Sequence, residues 1–158
     1  MRVGTGYDAH RLAPGRPLVL GGVVVPYQRG LAGHSDGDVA IHAIIDALLG
    51  AAALGDIGHH FPSDDPQYKG IGSLFLLARV RELLAAHGWR VVNVDATIVA
   101  ERPRLAPYIQ QMRQAIGASL RVEPELISIK ATTTDGMGFA GTEDGIAAQA
   151  VVLIEPAS

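Results

Sequence analysis

HSDGDVAIHAIIDALLGAAALGDIGHHFPSDD, residues 34–65, is the stretch from which the rest of the chain can be read. Val39, Ile41, Ile44, Ile45, Leu48 and Leu49 recur near the helical period, so the spacing predicts a helix in its first half. Ser35 or Asp36 is the expected N-cap. Asp38, His42 and Asp46 fall at i, i+4 and i+8, on one face of that otherwise apolar helix. Ionisable groups on such a stripe are costly without partners, and two readings are open. Either Asp38 or Asp46 pairs with His42 structurally, or His42 is a metal ligand with a carboxylate supporting it.

Moving outward, residues 2–10 read as a strand, and residues 17–26 (PLVLGGVVVP) as another with a glycine break. A long loop, 27–35, leads into the helix, and a turn-rich stretch, 55–72, leaves it. Leu74, Leu77, Val80, Arg81 and Leu84 define the faces of a second helix over 73–87, with Gly88 as its C′ residue. Residues 90–100 form a β-rich strand, and 105–120 a third helix with Pro107 in its first turn. Residues 126–133 and 145–154 complete the strands. No repeat or linker interrupts residues 1–158, which are expected to form one domain. The expected fold class is α/β of the α+β kind: a single mixed sheet with helices packed on one face. Residues 145–154 are nearly all apolar, so the other face also needs a cover. Assembly with further copies of the chain is the simplest one.

The 158 residues are 48% hydrophobic and 18% charged, enough to fold around a core. The net charge is −3, and no basic block runs along the chain, which argues against nucleic acid as a partner. With no cysteine, any metal must rest on His and carboxylate ligands. No apolar run reaches the ~20 residues that span a bilayer, so no membrane association is expected. The opening MRVGTGYDAH lacks the apolar segment of a signal peptide, and the expected location is cytoplasmic.

Asp8 and His10 end the first strand, where side chains two apart point the same way with Cα atoms ~6.6 Å apart. They are either a strand-end carboxylate and a surface imidazole, or two ligands of one ion. Together with His42 they would give three ligands and an open position, the pattern of catalytic zinc. Several loops suit phosphate. HSDGD (34–38) meets a helix N-terminus, where free N–H groups favour anions. GDIG (55–58) and FPSDD (61–65) are turns that let backbone approach a ligand. ATTTDGMG (131–138) sets three hydroxyls before an acid and two glycines, although a threonine run also serves simple β-propensity.

GYDAH (6–10), LAGHSDGDVAIHAIIDALLGAAALGDIGHHFPSDDPQYKG (31–70), NVDATIVAERPRLAPYI (93–109) and IKATTTDGMGF (129–139) resemble, in order and spacing, the signature segments of the 2-C-methyl-D-erythritol 2,4-cyclodiphosphate synthase family. The likeness covers essentially the whole chain. It implies a homotrimer with active sites between adjacent subunits and an intramolecular phosphoryl transfer. In that reaction the 2-phosphate of a cytidine-diphosphate-activated methylerythritol attacks the β-phosphorus. CMP leaves and a cyclic diphosphate closes, in the non-mevalonate isoprenoid route.

By the same resemblance Asp8, His10 and His42 hold Zn2+, while Asp135 serves a second divalent cation, Mg2+ or Mn2+. His34 and Thr133 stabilise the transition state. Ser35, Asp56, Ile57, Gly58 and the loop Phe61, Pro62, Ser63, Asp64 and Asp65 contact the methylerythritol and phosphate part, and Ala9 lies among them. Ala100, Glu101, Arg102, Pro103, Arg104, Leu105, Ala106 and Thr132 belong to a neighbouring subunit's nucleotide pocket. Thr134, Phe139 and Thr142 complete the implied contacts. Such a reaction needs no protein nucleophile, because the substrate supplies its own; positioning and charge neutralisation carry it.

The chain departs from the family pattern at four positions. Asp135 stands for a usual Glu and Ser63 for a common Asp. Thr142 and Gln149 stand where some relatives place Arg and Glu along a cavity on the trimer axis. Two other functions fit the residues alone: a metal-dependent phosphohydrolase, and a trimeric ligand-binding protein with a structural metal.

Overall fold

Glycine decides how the first strand meets the first helix. In the computed structural model, which describes residues 1–158, β1 (Arg2–Pro14) runs beneath the helix α1 (Val39–Ala51). A Cβ at Gly4 would lie 2.0 Å from the Ala47 carbonyl oxygen, and one at Gly6 2.0 Å from that of Ala43. No other residue fits at either position. Helix α1 is apolar nearly all round and buried nearly all round, packed on β1, β7 (Gly145–Pro156) and the helix α3 (Ser73–Ala86).

Between β1 and α1 the chain forms β2 (Leu18–Leu20), β3 (Val23–Val25) and β4 (Arg29–Leu31). The remaining elements are α2 (Ile57–His60), β5 (Trp89–Val99), α4 (Ile109–Leu120), β6 (Ile127–Thr132) and α5 (Gly138–Gly141). The main sheet has the order β4-β1-β7-β5-β6, with β5 and β6 parallel and the other neighbours antiparallel. It is the expected mixed sheet with helices on one face. Alternate residues point into the core: Val94, Ala96 and Ile98 on β5, Ile127 and Ile129 on β6, Ala148, Ala150, Val152 and Ile154 on β7. The opposite face carries Val3, Tyr7 and Val151, respectively 65%, 59% and 40% exposed.

Several boundaries differ from those expected of the sequence. Residues 17–26 are not one interrupted strand, because Gly21 and Gly22, at φ +60° and +79°, reverse the chain into the β2–β3 hairpin. The loop 27–35 contains β4, which pairs with the extended end of β1. The N-cap of α1 is Asp38 rather than Ser35 or Asp36. The third helix begins at Ile109, after a 3₁₀ turn at Ala106–Tyr108.

A methyl group between β1 and α1 should therefore be intolerable, whereas one on the exposed side of α1 should help. Gly6→Ala is expected to lose about 3 kcal/mol in urea unfolding. Gly50→Ala, whose Cβ meets nothing closer than the Thr5 carbonyl oxygen at 3.9 Å, is expected to gain about 0.5–1 kcal/mol.

Candidate metal centre

The close packing of α1 on β1 brings His42 to the end of the strand that carries Asp8 and His10. Asp8 Oδ2 lies 3.0 Å from His10 Nε2 and 3.0 Å from His42 Nδ1. One ligand atom from each of the three residues falls within 4.8 Å of the others. The far nitrogen of each ring is also engaged. His10 Nδ1 donates to the Ala32 carbonyl at 2.5 Å, so its Nε2 faces Asp8, donating to it when the ring is protonated and free to offer a lone pair to a metal when the ring is neutral. His42 Nε2 lies 2.9 Å from Ser73 Oγ and 3.2 Å from Ser35 Oγ. Two imidazole nitrogens and a carboxylate oxygen, oriented from behind, make a donor set that fits zinc.

The electrostatics of the ion-free group agree with a site built for positive charge. Burial alone raises the Asp8 pKa, but hydrogen bonds from His10 and His42 and their charges outweigh it and hold the pKa at about 2. The bond to Asp8 raises His10, against the effect of burial.

The polar stripe on α1 divides into three separate jobs. Asp38 is fully buried and accepts from the backbone N–H groups of Gly21 (2.9 Å), Gly22 (2.7 Å) and Ile41 (3.1 Å), tying the hairpin to the helix start. Burial pushes its pKa up to about 6 in spite of these donors. Asp46 accepts from Ile57 N–H at 2.7 Å and anchors α2. Neither carboxylate bonds the His42 ring, whose carboxylate partner is Asp8.

A cavity of about 210 Å³ opens beside Asp8, His10 and His42, lined among others by His34, Ser35, Ile57, Gly58, Phe61 and Ser63. His34 Nε2 donates to the Asp65 carbonyl at 3.2 Å. Tyr68 and Leu76 also line this cavity and carry no sequence signal of their own. Asp56 caps α2 through His59 N–H, and neither it nor Pro62, Asp64 and Asp65 lines the cavity. Ala9 and Phe139 line a separate small cavity with His10, Arg11 and Asp144.

A further cavity of about 490 Å³ gathers Ala100, Glu101, Arg102, Pro103, Arg104, Leu105 and Ala106 with Ala131, Thr132 and Thr133, and adds Tyr27. It shares no lining residue with the first. The strand order puts β1 and β6 three steps apart, ~14 Å at the usual spacing. Asp135 also lies outside the Asp8 group. It sits in the turn after β6 at φ +53°, where Thr133 Oγ1 donates to its Oδ1 at 3.3 Å. Thr134 Oγ1 donates to the Met137 carbonyl and Thr142 Oγ1 to that of Gly138, so both close local turns. A cavity of about 510 Å³ around Trp89, Arg90 and Arg121 lies at the opposite end of β5 and holds none of these groups. No helix is long and apolar enough to cross a membrane.

Fold and site thus define an α/β protein with an Asp-His-His group that could hold a metal ion, beside a cavity of about 210 Å³. The chain belongs to the YgbB family, whose profile matches residues 1–155. It is 65% identical over 157 residues to a 2-C-methyl-D-erythritol 2,4-cyclodiphosphate synthase of Syntrophomonas wolfei, covering 99% of this chain and all of that one. A solved 2C-methyl-D-erythritol-2,4-cyclodiphosphate synthase with CDP bound superposes with a TM-score of 0.89 at 36% identity, covering 98% of this chain and 100% of that one. A bifunctional protein of Campylobacter jejuni superposes at 0.95 and 37% identity, with 98% of this chain matching 42% of that longer one.

The shifted groups set a pH window for the metal-free protein. Asp8, held below its ordinary 3.8, stabilises the fold above that value and ceases to as pH falls toward 2. His10, held above 6.5, stabilises it below 6.5 and ceases to as pH rises through its raised value. Asp38, raised to about 6, adds a loss of stability as pH rises from 3.8 through 6. Calorimetry of chelator-treated protein should therefore show the melting temperature falling below pH 3.8 and falling further above pH 6.5, where only the His10 pairing is being lost. Zinc should abolish the alkaline fall. A metal-free melting temperature that rises steadily from pH 6 to 9 would contradict the pairing.

Proposed function

We propose that the chain cyclises 4-diphosphocytidyl-2-C-methyl-D-erythritol 2-phosphate to 2-C-methyl-D-erythritol 2,4-cyclodiphosphate. An oxygen of the 2-phosphate forms a bond to the β-phosphorus, the bond from that phosphorus to the CMP oxygen breaks, and CMP leaves with the electron pair. The enzyme is then a phosphorus–oxygen lyase of the non-mevalonate isoprenoid pathway, acting in the cytoplasm as one domain over residues 1–158. The observation that carries this reading is the convergence of Asp8, His10 and His42 on one point at the mouth of a cavity, in a chain matched end to end by synthases of this name.

Asp8, His10 and His42 would hold Zn2+, which when bound supplies Lewis-acid charge neutralisation to the phosphates. His34 and Thr133 bear on the phosphoryl group in flight. Ser35 and the N–H groups around Ile57 and Gly58 grip the methylerythritol phosphate end. Arg102 and Arg104 frame the larger cavity, which takes the cytidine. Asp135 serves a second divalent cation, Mg2+ or Mn2+. At its positive φ, Asp is better tolerated than the longer Glu.

One substrate molecule must reach both cavities, and in a single chain they share no residue. The reading therefore includes a homotrimer in which the larger cavity of one subunit meets the metal group of the next. The exposed Val3, Tyr7 and Val151 supply an apolar sheet face for that assembly.

Incubation with the substrate and magnesium should give cyclic diphosphate and CMP in equal amounts. Inorganic phosphate as product would instead make the protein a phosphohydrolase, and binding without turnover would make it a ligand-binding protein. His42→Ala should lose most bound zinc and at least ~100-fold in rate with an unchanged far-UV spectrum. Asp135→Ala should need far more magnesium than the parent. Light scattering at micromolar concentration should give three chain masses; a monomer mass would overturn the assembly.

A further inference from the structure

We propose that Asp36 and Ser73 are positioning residues that fix the ring tautomer of His42 and thereby set the zinc affinity. This rests on the metal reading of Asp8, His10 and His42. An imidazole binds a metal through a lone pair, and a neutral ring has one proton to place. His42 Nδ1 is the nitrogen that faces Asp8, at 3.0 Å. In the ion-free protein Nδ1–H is what can donate to that carboxylate, but once Nδ1 gives its lone pair to a metal the neutral ring's one proton must sit on Nε2.

Ser73 Oγ lies 2.9 Å from that Nε2 and Ser35 Oγ, the more distant partner, 3.2 Å, but a hydroxyl donates as readily as it accepts and neither settles the matter by itself. Asp36 settles it. Ser73 Oγ–H donates to Asp36 Oδ1, and a carboxylate can only accept. With its single proton committed there, Ser73 turns a lone pair toward His42, and Nε2 must donate. The carboxylate is held in turn by Ser73 N–H on Oδ2 at 2.9 Å and by Asp38 N–H on Oδ1 at 3.1 Å. It also lies at the start of α3, a 14-residue helix whose free N–H groups favour a negative charge there. Ser73 is fully buried, so bulk water does not compete for its hydroxyl.

The two histidines are thus oriented in different ways. His10 uses a backbone carbonyl, that of Ala32, which no substitution removes. His42 uses Ser73 of α3, itself held by Asp36 from the loop before α1, and the docking of α3 is thereby coupled to the metal centre. Neither Asp36 nor Ser73 is within the group that converges on the ion, and both act through His42.

The test is zinc affinity by competition with a chromophoric chelator, for the parent, Ser73→Ala, the near-isosteric Asp36→Asn, and the double variant. Each single change should weaken zinc about 10–100-fold. Because both act through one proton, the double variant should be no weaker than the worse single one. In the zinc-loaded parent, ¹⁵N-histidine spectra should show a protected His42 Nε2–H that Ser73→Ala loses. If Ser73→Ala does not fold, Asp36→Asn alone decides the matter through the same two measurements. Affinity within twofold of the parent in either single variant, or losses that multiply in the double one, would overturn the proposal while leaving the metal reading standing. A parent that binds no zinc would overturn the metal reading and this inference with it.

Discussion

Helix α1 rests on β1 with only hydrogen between them at Gly4 and Gly6. That contact sets the distance between two backbones and so carries His42 to within 3.0 Å of Asp8. Side chains of ordinary size at either glycine would hold the helix several ångströms away, out of reach of the strand. The same seat fixes the far ends of α1. Its start is bound through Asp38 to the β2–β3 hairpin, and its last turns hold α2 through Asp46. The loop and short helix that line the metal-side cavity inherit their positions from it.

Within that frame a costly arrangement becomes useful. Three groups that all offer lone pairs converge where only a cation or shared protons can reconcile them. Their orientation is imposed from behind by Ala32 and Ser73, which is what allows the group to persist with its lone pairs facing inward. Lysine contributes little, since the chain has only Lys69 and Lys130 and the latter is paired with Asp95; the arginine beside the group, Arg16, is engaged by the Gly33 and Ser35 carbonyls. A polyphosphate substrate must then be neutralised by metal, backbone N–H groups and arginine.

Helices α1 and α3 and the strands they cover are legible in the sequence, because periodicity is a local signal; the GYDAH spacing shows that Asp8 and His10 share a strand face but leaves their role open. The roles along the α1 stripe are no more legible. Asp38, His42 and Asp46 have the same spacing to their neighbours, and a cap, a ligand and a loop anchor look alike until the fold supplies Gly21, Asp8 and Ile57 as their partners. Strand β4 is hidden because three residues, Arg29–Leu31, are too few to show a period. The hairpin is hidden because a Gly-Gly pair reads equally as a break or a reversal. Ser73 stands 31 residues from His42, and no local pattern connects them. The separation of the two cavities follows from strand order, which a single sequence does not specify.

The most direct measurement is X-ray absorption at the zinc edge on the zinc-loaded protein, alongside His42→Ala. The expected spectrum has two imidazole nitrogens at about 2.0–2.1 Å together with oxygen ligands, and one imidazole disappears in the variant. A shell of oxygen alone, or one that His42→Ala leaves unchanged, would contradict the claim that the β1–α1 contact exists to build this centre.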